Sequence, residues 1–126
     1  LPAMLQGRHG ENVAKEARVL LEEVGLGHRL QHKPAELSSG EQQRAAIARS
    51  LINSPLLVLA DEPTGNLDSK TRLEILEIFK KLHDSDSKIT IIMVTHDPDV
   101  AAMADRIIHM KDGVITETAD QTETPK

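Results

Sequence analysis

The sequence predicts an α/β fold with a mostly parallel sheet and a C-terminal hairpin. Three observations carry that prediction. Leu56 to Ala60 and Ile89 to Val94 are short unbroken apolar runs, the pattern of strands buried in a parallel sheet. Between them, Asp68 or Ser69 opens a helical segment running to about Leu82, so the order is strand, helix, strand. Finally, Asp112-Gly113 separates the segments Arg106 to Met110 and Val114 to Thr118, as a hairpin turn does.

The remaining elements follow in order. From Asn12 to Val24, the residues Val13, Ala14, Ala17, Leu20, Leu21 and Val24 recur at helical spacing, and Gly25 supplies a stop. Residues 27–36 form a polar connector containing Pro34, in which His28 and His32 are expected to be solvated. Ser38 or Ser39 can cap a helix that begins near Gly40 and runs to about Asn53. Ala45, Ala46, Ile47, Leu51 and Ile52 lie on or near its buried face, and Pro55 ends it. The apolar run that follows is expected to be covered on both faces. Pro98 suits the first turn of a short helix through Ala104. After Ala119 no apolar residue remains, so residues 119–126 read as a polar tail with nothing to bury.

Composition narrows the function classes. A chain of 126 residues fits one domain, and a domain of that size can bury roughly two-thirds of its unfolded surface. Phe79 is the lone aromatic residue, so the stacking platforms of single-strand nucleic-acid binders are missing. A formal charge of −5 without a basic cluster argues against a nucleic-acid surface. The lack of cysteine excludes disulfides and thiolate metal sites and suits a reducing compartment. No apolar run approaches the roughly 20 residues that span a bilayer. The N-terminus has no signal-peptide pattern. The chain reads as soluble and able to dock on something that is not.

Two segments carry chemistry. Leu37-Ser38-Ser39-Gly40-Glu41 places polar side chains and a glycine at a helix start, where free N–H groups and the helix dipole favour phosphate. Asp61 and Glu62 follow the first strand, at the carboxyl end where open α/β sheets keep their ligand sites. Asp61 there can hold Mg²⁺ through a water, and Glu62 can polarise a water for in-line phosphoryl transfer. Taken alone, Asp-Glu-Pro is also a polar turn after a strand. The second strand leads into Thr95-His96-Asp97, which brings His96 to the same sheet edge, within reach of a γ-phosphate; a lone histidine there is more often structural or solvated. Gly65-Asn66-Leu67-Asp68 reads first as a turn with a helix cap. No G-x-x-x-x-G-K-S/T loop occurs anywhere, so half of a phosphate site is missing.

These pieces, in this order, resemble the C-terminal half of the ATP-binding-cassette (ABC) ATPase domain, a P-loop NTPase fold. Leu37 to Glu41 is similar to that family's signature sequence, and Leu56 to Glu62 to its Walker B strand. Pro63 to Asp68 is similar to its D-loop, and His96 to its switch histidine. The run Asp61 to Ser69 with Thr95-His96-Asp97 is most similar to the lipoprotein-release and macrolide-export subfamily, and Leu1 to Leu5 resembles the segment after the coupling region. The resemblance covers residues 1–118, divided into a helical signature region of about 10–54 and a catalytic sheet region of about 55–118. It implies ATP and Mg²⁺ as cofactors, Glu62 and His96 as catalytic residues and Asp61 as metal ligand. Ser38, Ser39, Gly40, Glu41 and Asp68 would be nucleotide-binding.

Further implications concern assembly. Two such domains pair head to tail, with Ser38 and Gly40 acting in trans on the partner's nucleotide and Asp61, Glu62 and His96 acting in cis. A membrane permease is the second partner, placing the protein in the cytoplasm, peripheral on the inner face of the cell membrane. Two positions depart from the family pattern: Ser39 stands where glycine is usual, and Glu41, where glutamine is usual, puts a negative charge near an anion site. The phosphate-loop half is absent, and with it the Walker A strand that would lie beside the strand at Ile89 to Val94. The gap is expected to be filled by the C-terminal hairpin or by a strand from another copy, so the fragment is expected to self-associate and to be inactive alone. Three other readings remain: the ATPase head of a DNA-repair or chromosome-condensation protein, a non-catalytic binding module, and a structural α/β domain with coincidental motifs.

Overall fold

A computed structural model describes residues 2–85 and 89–120, which fall into two compact units dividing between Met93 and Val94. The first unit holds α1 (Pro2–Leu5), α2 (Glu11–Glu23), α3 (Ser39–Leu51), β1 (Leu57–Asp61), α4 (Ser69–Asp84) and most of β2 (Thr90–Val94). The second holds α5 (Pro98–Ala101), β3 (Arg106–Lys111) and β4 (Val114–Asp120). The fold class is α/β, as expected.

Local chemistry sets the helix ends. After α2 the chain turns at Gly25, φ 78°, with the Gly25 amide donating to the Glu22 carbonyl and the Leu26 amide to the Leu21 carbonyl. That pair of bonds is a Schellman motif, whose left-handed residue favours glycine. Leu26 then folds into the core behind it. Ser38, rather than Ser39, caps α3, and Asp68 caps α4. The short α1, which the spacing of apolar residues does not predict, is tied to the end of α3. Asn53 donates from Nδ2 to the Pro2 carbonyl, and Arg8 donates from Nη1 to the Ile52 carbonyl. An arginine at a helix C-terminus also meets the negative end of its dipole. Arg8 pairs in addition with Glu16 on α2.

The core of the first unit lies between these helices and one face of the β1–β2 sheet. Val24, Leu26, Ile47, Ala48, Leu51, Val58, Ile75, Phe79 and Ile89 are buried together. Ile75 is fully buried, and burying a side chain of that size stabilises a fold by roughly 1.5–3 kcal/mol. β1 and β2 are neighbours, and the Thr90 amide donates to the Leu56 carbonyl. The two strand starts thus lie side by side, as in a parallel pair.

One expectation fails here. β1 and β2 are not covered on both faces, because exposed and at least partly buried residues alternate along them. Leu59 is 71% exposed and Ile92 53%. The apolar runs are suited to burial on both sides, but the described residues of the first unit cover one. Among the described residues, β3 and β4 pair only with each other. Their pairing closes a two-residue loop, Asp112-Gly113, with φ of 51° and 78°, which is the backbone of a type I′ turn and a low-entropy-cost closure.

Smaller shifts also appear. The ladder slips between His109 and Met110, where Thr116 is the extra residue on β4. β4 continues to Asp120, so the expected tail loses its first two residues to the strand, and residues 121–126 lie outside the described residues. The helix at Pro98 stops at Ala101 instead of Ala104.

Candidate functional site

The two chemistry-bearing segments of the first unit are built differently. β1 ends at Asp61, which is exposed, and the chain leaves it through Glu62 at φ 44°. A left-handed backbone costs a residue with a Cβ roughly 1–2 kcal/mol, so the strand end is strained where its second carboxylate sits. The strain is held by a turn in which the Gly65 amide donates to the Glu62 carbonyl at 3.1 Å and the Leu67 amide to the Thr64 carbonyl at 3.3 Å. Pro63 and Thr64 are buried beneath that turn. Glu62 itself is half-buried, and a Cβ at position 65 would stand 3.8 Å from its Oε2.

The turn delivers the chain to Asp68. Its carboxylate accepts from the Lys70 and Thr71 amides, and from the Thr71 hydroxyl at 2.6 Å. These bonds, the Thr71 hydroxyl foremost, hold the Asp68 carboxyl below its usual range. Expected as a nucleotide-binding residue, Asp68 is engaged here as the cap of α4.

The start of α3 is a closed hydrogen-bonded ring. Glu41 donates its amide to Ser38 Oγ at 3.3 Å, and Glu41 Oε2 accepts from the Ser38 amide at 2.9 Å. That is a capping box, whose Ser-x-x-Glu spacing the sequence carries. Arg29 Nε donates to Glu41 Oε1 at 2.8 Å, and His28 Nε2 lies 3.8 Å from the same oxygen. Glu41 is buried. The negative charge expected near an anion site is thus present in the first turn of α3, with both carboxylate oxygens engaged. Ser38 and Ser39 are exposed at the helix start, and Gly40 is buried. A Cβ on Gly40 would sit 2.3 Å from Thr71 Cγ2, so Gly40 is where α3 approaches α4. The structure thereby joins the Ser38–Glu41 segment to the Asp68 cap through Thr71, a residue the sequence reading passed over.

The Ser38 amide, followed by the Arg29 side chain, lowers the Glu41 pKa from 4.5 to about 2. A carboxyl with a depressed folded pKa contributes stability that is present above its unfolded pKa and lost as pH falls through the folded one. The contribution of Glu41 is therefore expected to fade between about pH 4.5 and about pH 2. Thermal midpoints measured across that window should fall less steeply for Glu41→Gln than for the unaltered chain. Parallel slopes would show that this carboxylate carries none of the acid sensitivity.

His96 belongs to the second unit and is exposed. It lies between Thr95, whose Oγ1 accepts from the Asp97 amide at 3.1 Å, and Asp97, which caps α5 by accepting from the Asp99 amide at 2.9 Å. Among the described residues, no three His, Asp or Glu side chains group to hold a metal ion. No helix among the described residues is long and apolar enough to cross a membrane.

Comparison with known proteins decides the family. The family profile described as "ABC transporter" matches residues 3–65, half of the chain. The chain belongs to the ABC transporter family. The match to its ATPase domain is extensive. The lipoprotein-releasing system ATP-binding protein LolD of Shewanella sp. (strain MR-7) is 50% identical over 123 residues, which is 98% of this chain and 53% of that protein. The macrolide export ATP-binding/permease protein MacB of Rhodopirellula baltica is 53% identical over 115 residues, 91% of this chain and 17% of that protein. Among solved structures, the dimeric post-hydrolysis state of the ATP-binding cassette MJ0796 bound to ADP and Pi is 44% identical. It superposes with a TM-score of 0.79 over 93% of this chain and 50% of that one. The chain thus spans about half the length of the LolD relatives it matches. Its fold is that of part of an ABC cassette, a P-loop NTPase fold.

Proposed function

We propose that this chain supplies the signature and Walker B half of an ATP-hydrolysing ABC subunit. That subunit couples Mg-ATP hydrolysis to transport by a membrane permease of the lipoprotein-release and macrolide-export kind, and it works on the inner face of the cell membrane. The observation that carries this reading is the end of β1, where Glu62 is held at φ 44° over the Gly65 turn directly after Asp61. Backbone strain retained at a carboxylate beside a strand end is the pattern of a functional position.

In the proposed reaction, a water oxygen attacks the γ-phosphorus of ATP while Glu62 takes the water's proton, and the bond to the ADP oxygen breaks. Asp61 would hold Mg²⁺ through water; when bound, the ion neutralises charge on the phosphates. His96 would stabilise charge on the γ-phosphate. Ser38, Ser39 and the N–H groups of the α3 start would close over a nucleotide held by a second cassette, paired head to tail. In this reading Glu41 and Asp68 serve the nucleotide indirectly, by shaping the loops that meet it.

The test separates the half from the whole. Cradling of the β- and γ-phosphates by a phosphate loop supplies most nucleotide affinity, and this sequence contains no such loop. The chain alone is therefore expected to hydrolyse no ATP and to give no calorimetric signal of micromolar Mg-ATP binding, while a complete cassette containing it does both. In the same samples, light scattering is expected to find the lone chain larger than a monomer. The reason is the exposed apolar face of β1 and β2 and the strand edges that pair with nothing among the described residues, which a second copy can cover. Micromolar binding or turnover by the lone chain would overturn the division of labour, and a strict monomer would overturn the self-association.

A further inference from the structure

The start of α3 poses a physical problem that its own residues do not solve. A helix start attracts phosphate because its N–H groups are free and its dipole is positive, yet Glu41 places an ionised carboxylate within the first turn. An uncompensated negative charge there would oppose the anion. It would also be costly to keep, because the side chain is nearly enclosed, with 10% of its surface exposed. The hydrogen bond from the Ser38 amide to Glu41 Oε2 fixes the carboxylate's position without cancelling its charge.

We infer that Arg29 is a positioning residue for the nucleotide-facing start of α3: it neutralises Glu41 and locks the Ser38 cap, so that the Ser38 hydroxyl is presented to a phosphate. The geometry supports each step. Arg29 Nε donates to Glu41 Oε1 at 2.8 Å, leaving Oε2 to accept from the Ser38 amide at 2.9 Å. Ser38 Oγ accepts from the Glu41 amide at 3.3 Å, so one of the hydroxyl's lone pairs is engaged and its own proton remains available to donate to a phosphate. Arg29 sits on a separate 3₁₀ turn, Gly27–Arg29, which follows the buried Leu26. The connector between α2 and α3 is thereby an electrostatic brace for the α3 start. His28, 3.8 Å from Glu41 Oε1, and His32, whose Nε2 lies 3.3 Å from Arg29 Nη1, are exposed beside the pair.

The inference rests on the reading of Ser38 as a nucleotide contact, and the experiment separates the two. In a complete cassette, Arg29→Gln is expected to raise the KM for Mg-ATP about tenfold. That is the scale of one uncompensated unit charge several ångström away near a protein surface. The kcat should change much less. Adding Glu41→Gln removes the stranded charge while keeping an oxygen for the Ser38 amide, so the double variant should return the KM to within about threefold of the parent. A merely structural arginine would not be rescued in this way. An unchanged KM in Arg29→Gln, or a double variant as impaired as the single one, would overturn the inference. Ser38→Ala serves as the control: if it too leaves the KM unchanged, the nucleotide role of the α3 start fails, and the role of Arg29 with it.

Discussion

Glu62→Gln in a complete cassette is expected to lower ATP turnover by roughly 10² to 10⁴, the range for loss of a positioned general base. Nucleotide binding should survive. The substitution keeps the side chain's length and its two-branched end but removes the carboxylate's ability to take a proton from water. It also leaves the residue at the same left-handed backbone position, φ 44°, so the turn through Gly65 is not asked to rearrange. Single-turnover hydrolysis measured beside equilibrium nucleotide binding distinguishes the outcomes. Turnover close to the parental rate would remove Glu62 from the role of base, and loss of binding together with turnover would mean that the turn had collapsed.

Gly40→Ala should destabilise the fold by about 1–3 kcal/mol, the usual cost of forcing an extra carbon into a filled space. The new Cβ would stand 2.3 Å from Thr71 Cγ2, well inside contact distance. Thr71 cannot readily turn aside, because its hydroxyl is bonded to Asp68 Oδ2 at 2.6 Å and its amide to Asp68 Oδ1 at 3.1 Å. The conflict therefore sits on one methyl group. Thr71→Ser deletes that methyl and retains the hydroxyl for Asp68. With it gone, the nearest atoms of residue 71 are Cβ at 3.6 Å and Oγ1 at 3.8 Å, ordinary contacts. In the Thr71→Ser background, Gly40→Ala should then be neutral or stabilising by up to about 1 kcal/mol, because alanine loses less chain entropy than glycine in a helix. Denaturant unfolding of the four proteins in this cycle checks the sign. If Gly40→Ala costs the same in both backgrounds, the methyl contact is not its cause.

The two experiments address residues whose roles were legible to different degrees. Glu62 stands out in the sequence because a buried-strand pattern ends in paired carboxylates, and that pattern depends on residues next to one another. Gly40 is conspicuous as the glycine of a phosphate-facing helix start, but its contact with Thr71 belongs to the packing of two helices. Its reading as a nucleotide residue therefore misses a second constraint on the same atom position. Glu41 shows the same limit more sharply. Its capping of Ser38 is a short-range pattern open to reading, whereas its pairing with Arg29 spans 12 residues and depends on how the connector folds back.

The sequence by itself determined the family, the helix starts at Ser38 or Ser39 and at Asp68 or Ser69, the stop at Gly25, the Asp112-Gly113 hairpin turn and the placement of Asp61 and Glu62 after a strand. Each of these depends on hydrogen bonds and backbone preferences between residues within a few positions of one another. Only the tertiary structure decided that Glu41 turns inward onto Arg29, that Gly40 packs against Thr71 and that β3 and β4 pair with each other alone among the described residues. It also decided that one face of β1 and β2 is exposed. An apolar run states that a strand is suited to burial, but what covers it depends on which other elements reach that face. For Leu59 and Ile92 in the first unit, no described element does.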